Sequence, residues 1–151
     1  MHFPLEIIDL SKTYDSKEAV KNISFKLDQN KIIGILGPNG CGKTTTIGMI
    51  LGLLKPTGGK VLIHGREVEE HRVDLLNELN FISPYIELPK KLTVKQNLEV
   101  YGRLYNVKKL SKKIDYICEK LRLTEFINKI TGELSSGQKN RVSLAKSIIN
   151  D

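Results

Sequence analysis

Apolar and polar residues alternate through "PLEIIDLSKTY" (residues 4–14) and "VKNISFKL" (residues 20–27). That period of two predicts two half-exposed β-strands. "KIIGILG" (residues 31–37) breaks the alternation, being nearly continuously apolar and rich in β-branched residues. Such a run predicts a parallel strand covered on both faces. A glycine-rich turn follows, and Thr44 to Leu54 is predicted as a helix that "KPTGG" (residues 55–59) stops with proline and glycine. "KVLIHG" and "LNFIS" are two further short strand candidates.

Beyond residue 90 the spacing becomes helical. Thr93-Val-Lys-Gln96 has the form of a capping box, and Val94, Leu98, Tyr101 and Tyr105 follow on one face. Ser111 is the expected cap of the next helix, whose Ile114, Ile117, Cys118 and Leu121 share a face. Residues 124–134 read as a short helix or turn and a loop. Gln138 to Asn150 is again amphipathic, with Val142, Ala145 and Ile149 on one side. The order of strands, loop, helix, strands and a helical stretch defines an α/β protein, without internal repeats, low-complexity tracts or a flexible linker.

At 151 residues the chain has the length of about one domain. A chain of that size buries roughly two-thirds of its unfolded surface. No apolar run approaches the roughly 18 residues of a membrane span. The opening "MHFPLEIIDL" lacks a basic region followed by an apolar one, so no secretory leader is expected. Two cysteines, Cys41 and Cys118, are too few for a disulfide framework, lack metal-ligand spacing and suit a reducing compartment. The net charge of +7 raises the question of a polyanionic partner. The lysines are dispersed in pairs such as Lys90-Lys91, Lys108-Lys109 and Lys112-Lys113, with no aromatic residues interleaved as stacking platforms. A solvated surface accounts for them, and nucleic acid is not an expected partner.

The chemistry concentrates in "GPNGCGKTTT" (residues 37–46). Gly37, Gly42, Lys43 and Thr44 satisfy the spacing G-x-x-x-x-G-K-[ST] between a predicted buried strand and a helix. Gly37, Pro38, Asn39, Gly40, Cys41 and Gly42 form a loop whose glycines let successive N–H groups turn inward onto oxyanions. The helix that starts with Lys43, Thr44 and Thr45 adds its positive N-terminal end. The Lys43 ammonium reaches terminal phosphates, and the Thr44 hydroxyl is a candidate Mg²⁺ ligand. Cys41 fills a free position of the loop as a small residue; a thiol activated by the helix N-terminus is the alternative.

A second motif, Leu134-Ser135-Ser136-Gly137-Gln138, opens the last predicted helix, with Ser135 and Gln138 at capping-box spacing. With the two motifs at this separation, the chain from about residue 5 to its last residue resembles the ATP-binding domain of an ABC transporter. That family's signature reads Leu-Ser-Gly-Gly-Gln, and Ser136 stands at its usual glycine. The resemblance implies a P-loop ATPase fold with a mixed sheet, an antiparallel β part and a helical insert. It divides the chain into a β and P-loop core (1–82), the insert (83–134) and the signature helix returning to the core (135–151). It also implies that residues 134–138 grip the ATP held by a second such domain in a head-to-tail dimer, and that Tyr14 stacks on adenine. ATP and Mg²⁺ are the implied ligands. An integral membrane subunit is the implied partner, with the chain peripheral on the cytoplasmic face of the membrane.

The sequence departs from the family at two places. The glutamine that family members carry after the strand following the P-loop helix is absent from "NFISPYIELPKKLTV"; the position falls on Ser83 or Pro84. The apolar strand ending in Asp-Glu, which holds Mg²⁺ and polarises the attacking water, does not occur in these residues. The expectation is therefore an incomplete ATPase domain, inactive alone, in which "KIIGILG" lacks the strand beside it and presents an open edge. The functional expectation is the ATP-binding subunit of an exporter. The alternatives are a soluble ABC-type ATPase acting on ribosomes or DNA, and a module that binds ATP without hydrolysing it.

Overall fold

The computed structural model describes residues 3–83 and 87–150. Five α-helices and four strands alternate as β1 (Leu5–Tyr14), β2 (Lys17–Leu27), α1 (Lys43–Ile50), β3 (Gly58–Ile63), β4 (Arg66–Glu67), α2 (Arg72–Leu76), α3 (Val94–Leu104), α4 (Leu110–Lys120) and α5 (Ser136–Ser147). Single 3₁₀ turns at Thr124–Phe126 and Thr131–Glu133 join α4 to α5. The chain divides into two compact units, residues 1–76 and 77–151.

In the first unit the strands form one sheet in the order β2-β1-β3-β4, with every neighbouring pair antiparallel. A register shift at Asp9, which has φ 46°, breaks the alternation between Ile7 and Leu10 and leaves both buried. Ile7, Leu10 and Val20 are buried, as are Val61 and Ile63 on β3. Met49 of α1 completes this apolar layer. Each such side chain withdrawn from water contributes about 1.5–3 kcal/mol.

The sheet corrects one expectation. Residues 31–37 join none of its ladders among the described residues, and Ile32 and Leu36 are 99% and 93% exposed. A buried parallel strand needs neighbours on both edges and cover on both faces, and no described strand supplies them. The described strands form the antiparallel β part that the resemblance implies. "LNFIS" is no strand either. Asn80 there accepts from the Tyr105 hydroxyl at 3.0 Å and donates to Asn150, whose own Nδ2 donates to the Asn77 carbonyl at 2.7 Å. Side-chain bonds replace a ladder.

Helix α1 ends at Leu51, short of the proline expected to stop it. Gly52 adopts φ 64°, and its N–H and that of Leu53 turn back to the carbonyls of Met49 and Gly48 at 3.1 and 2.8 Å. A left-handed glycine thus closes the helix.

The second unit is helical around one core. Val94 and Leu98 of α3, Ile114, Ile117 and Cys118 of α4, and Val142 and Ala145 of α5 converge with Leu123, Phe126, Leu134 and Ile149. Thr93 caps α3 as its sequence predicts: its hydroxyl accepts from the Gln96 N–H at 3.1 Å, and Gln96 Oε1 accepts from the Thr93 N–H at 2.9 Å. Ser111 does not cap α4. The cap falls two residues earlier, on Lys109 at φ 52°, so that the helix begins at Leu110, and no side chain caps it. Gly102 of α3 is pressed against Leu110, whose methyl would overlap any β-carbon there.

Candidate functional site

The glycine-rich loop is held by backbone geometry that its residue types permit. Gly40 and Gly42 have φ 82° and 90°, a region that side-chain-bearing residues rarely adopt. Gly37 has φ 152°, also outside the range that side chains readily adopt, and a β-carbon there would lie 2.6 Å from Cys41 Sγ. Gly42 is the cap of α1, and no side chain satisfies the N–H groups of the first turn. No acidic residue stands there either. The helix therefore offers unscreened N–H groups and its positive end at the surface, which is the physical requirement for an oxyanion site.

Lys43 lies across the mouth of this loop. Its Nζ donates to the carbonyls of Gly37 and Pro38 at 2.7 and 2.6 Å and lies 3.8 Å from Cys41 Sγ. The ammonium is thus fixed by the loop's own backbone. Thr44 and Thr45 follow it into the first turn, Thr44 exposed and Thr45 half-buried. Thr46 is buried and donates its hydroxyl to the Gly42 carbonyl at 3.0 Å, tying the helix start to the loop. Asn39 and Pro38 complete the exposed rim. Among the described residues no group of three or more His, Cys, Asp or Glu could hold a metal. The Thr44 hydroxyl fits a role as one Mg²⁺ ligand, with phosphate and water oxygens completing the shell.

Tyr14 ends β1 and is 44% exposed. Lys12, two residues earlier on the same face, sets its Nζ 5.1 Å from the ring centre and donates to the Lys55 carbonyl at 2.7 Å. A cation therefore lies over the ring. The spacing Lys-x-Tyr on a strand carried that signal, and reading Tyr14 alone missed it. A second unforeseen contact supports the loop itself, since the α1 cap packs on β2 at Ala19.

In the second unit Ser135 and Gln138 form the expected capping box. Ser135 Oγ accepts from the Gln138 N–H at 3.3 Å, and Gln138 Oε1 accepts from the Ser135 N–H at 2.9 Å. Leu134 is buried in the core and anchors the motif, while Ser135, Ser136 and Gly137 are exposed. Gly137 has open space where a β-carbon would stand. A cleft of about 360 Å³ opens against this turn, lined by Ser83, Glu87, Lys90, Ser136, Lys139 and Ser143 among others. Lys90 pairs with Glu87 at 2.6 Å, and its hydrogen bond and charge hold that exposed carboxyl below its ordinary range. Pro84 lies outside the described residues. A separate cavity of about 340 Å³, lined by Met49, Leu54, Lys55, Val61 and Arg72, lies beyond the C-terminal end of α1 rather than at the loop.

A strand-rich layer, a glycine loop curled around a lysine and a helix opening directly from that loop define a P-loop nucleotide-binding protein. The ABC transporter family matches residues 20–151, and the chain belongs to that family. It is 35% identical over 149 residues to the Nod factor export ATP-binding protein I of Rhizobium etli, covering 97% of this chain and 47% of that protein. It is 33% identical to the bacitracin transport ATP-binding protein BcrA of Bacillus licheniformis, again over 97% of this chain and 47% of that protein. The chain thus spans about half the length of these curated relatives. Among solved structures, cbiO1 of Clostridium perfringens, part of the ABC transporter complex cbiONQ, superposes with a TM-score of 0.86 at 26% identity. That match covers 99% of this chain and 62% of cbiO1. A nucleotide-free ATP-binding cassette from an ABC transporter shares the fold, with a TM-score of 0.79. No helix among the described residues is long and apolar enough to cross a membrane.

Proposed function

We propose that the chain is the ATP-binding part of an ABC transporter subunit that works in export. The observation that carries this reading is the position of Lys43, whose ammonium is held at 2.6–2.7 Å by the carbonyls of Gly37 and Pro38 at the mouth of the loop. ATP entering there would exchange those carbonyls for its terminal phosphates, with the N–H groups of residues 40–45 donating to phosphate oxygens. Thr44 would take Mg²⁺. Tyr14 would stack on adenine through the face of the ring that Lys12 leaves open.

Residues 134–138 would present the α5 N-terminus to the ATP of a second domain, so that two nucleotides close a head-to-tail dimer. Relatives named for the export of Nod factor and of SkfA peptide support the direction of transport. A membrane subunit would choose the substrate and hold the chain at the cytoplasmic face. Hydrolysis needs an Asp-Glu pair that these 151 residues do not carry, so it belongs to the longer protein typified by the relatives. The 151 residues alone would bind ATP without turnover.

Equilibrium binding of Mg-ATP to the purified chain tests this reading, with Lys43→Ala as the control. Saturable binding that disappears in the variant is the expected result. A folded chain that binds no ATP would overturn it.

A further inference from the structure

Strand β1 ends against the segment that leaves α1. The Thr57 N–H donates to the Ser11 carbonyl at 2.9 Å, and the Thr13 N–H donates to Thr57 Oγ1 at 3.1 Å. Between these two residues Lys12 reaches the same segment with its side chain, its Nζ donating to the Lys55 carbonyl at 2.7 Å. That ammonium also lies 5.1 Å from the centre of the Tyr14 ring. One cation thus grips the chain leaving α1 and covers the ring that ends β1.

Both contacts bear on what Tyr14 can do. The ring is 44% exposed, and an exposed aromatic side chain hops between rotamers. A ring that must come to rest when a ligand stacks on it loses that freedom at binding, whereas a ring already held does not. The ammonium is attracted to the negative face of the ring, and the Lys55 carbonyl keeps it from swinging away. A cation on one face also compensates part of the ring's quadrupole, which lowers the repulsion that a second flat π-system meets on the other face. Neither effect needs Lys12 to touch a ligand.

We propose that Lys12 is a positioning residue for nucleotide binding: it holds the Tyr14 ring ready to stack on the base and confines the base to the open face. This role rests on the stacking of Tyr14 proposed above and supplies what keeps that ring in place. Phosphate contact stays with Lys43 and the N–H groups of the loop. Lys55 follows α1, whose N-terminus opens from that loop. The bond from Lys12 to Lys55 therefore links the element under the phosphates to the ring under the base.

Equilibrium binding of Mg-ATP and of magnesium tripolyphosphate, which lacks a base, to the 151-residue chain tests this role. Lys12→Met keeps the length of the side chain without its charge. It should weaken ATP binding about two- to fivefold and leave tripolyphosphate binding as in the parent. Lys12→Arg should recover most of the loss, because a guanidinium both stacks on the ring and donates to the carbonyl. Tyr14→Leu should weaken the binding of ATP but not of tripolyphosphate, and adding Lys12→Met to it should change nothing further. In the nucleotide-free chain, the Lys12 Hε protons should show an upfield ring-current shift that Tyr14→Leu abolishes. A parallel loss of tripolyphosphate binding in Lys12→Met would mean a direct phosphate contact or a disturbed loop, and would overturn the proposal. So would an unshifted Lys12 signal, or parent-like ATP binding by Lys12→Met where Tyr14→Leu binds weakly. Parent-like ATP binding by Tyr14→Leu would instead remove the stacking reading itself, and the role of Lys12 with it.

Discussion

Gly42 turns its Cα face onto the carbonyl oxygen of Ala19, so closely that a β-carbon on Gly42 would overlap that oxygen and crowd Val20. Residue 42 caps α1 at φ 90°, and Ala19 lies in the hairpin strand that begins three residues after Tyr14. This one contact sets the phosphate loop against the β1–β2 hairpin. It makes glycine necessary twice, for conformation and for space.

Gly42→Ala is therefore expected to do more than strain one dihedral. A left-handed alanine costs about 1–2 kcal/mol by itself, and the clash with a backbone oxygen cannot relax by side-chain rotation. Thermal unfolding of the variant should shift down by several degrees, and Mg-ATP affinity should fall at least tenfold. Gly40→Ala meets no atom within 4 Å and should cost only the conformational part.

In the second unit, Asn97 is buried and donates to Thr131 Oγ1 at 2.8 Å and to the Thr93 and Pro89 carbonyls at 3.1 and 3.2 Å. The Thr131 hydroxyl passes on to the Leu92 carbonyl at 2.9 Å. This network fastens the start of α3 to the turn that precedes Leu134. Asn97→Ala removes the donor to the Thr131 hydroxyl, while the Thr93 and Pro89 carbonyls keep the backbone N–H groups of Asn97 and Leu92, and should lower stability by about 1–2 kcal/mol in urea titrations. Thr131→Val should cost about 1–2 kcal/mol, and the double variant less than the sum, because the two share one bond.

Ser135→Ala removes the cap of α5 and should cost about 1 kcal/mol. Ser136 has no positive φ, so its side chain is unstrained. Ser136→Gly should then be slightly destabilising through lost helix propensity, by less than about 1 kcal/mol. Calorimetry of the two variants distinguishes the cap from its neighbour.

The two cysteines should differ in reactivity and in their pH response. Cys41 is exposed and Cys118 buried, so alkylation followed by peptide mapping should label Cys41 in the folded chain and Cys118 only on unfolding. Burial, aided by the Asp115 charge, pushes the Cys118 thiol above its ordinary range. A raised folded value favours the protonated, folded state. Its contribution is whole below the unfolded pKa of about 8.5 and is lost as pH rises through the folded value. Stability should thus fall as pH rises above about 8.5, the ordinary value of the thiol, and fall less in Cys118→Val.

Local chemistry was legible from residues close in sequence. The capping boxes at Thr93–Gln96 and Ser135–Gln138 each close within four residues, so residue type and spacing settle them. The buried faces of α3, α4 and α5 likewise follow from helical period alone. Expectations failed where the deciding partner lay elsewhere. Ser111 does not cap α4, which already starts at Leu110, a residue packed on Gly102 of another helix. "LNFIS" lost its strand to amide bonds with Asn150, and among the described residues no strand lies beside 31–37.

The sequence by itself determined that a glycine loop with Lys43 precedes a helix, which is the arrangement an oxyanion site requires. Backbone freedom and spacing are properties of a few consecutive residues. Only the tertiary structure decided that Gly42 rests on Ala19, that Lys12 covers one face of Tyr14, and that Asn97 meets Thr131. Burial and strand pairing depend on what distant segments bring alongside, and no local pattern records that.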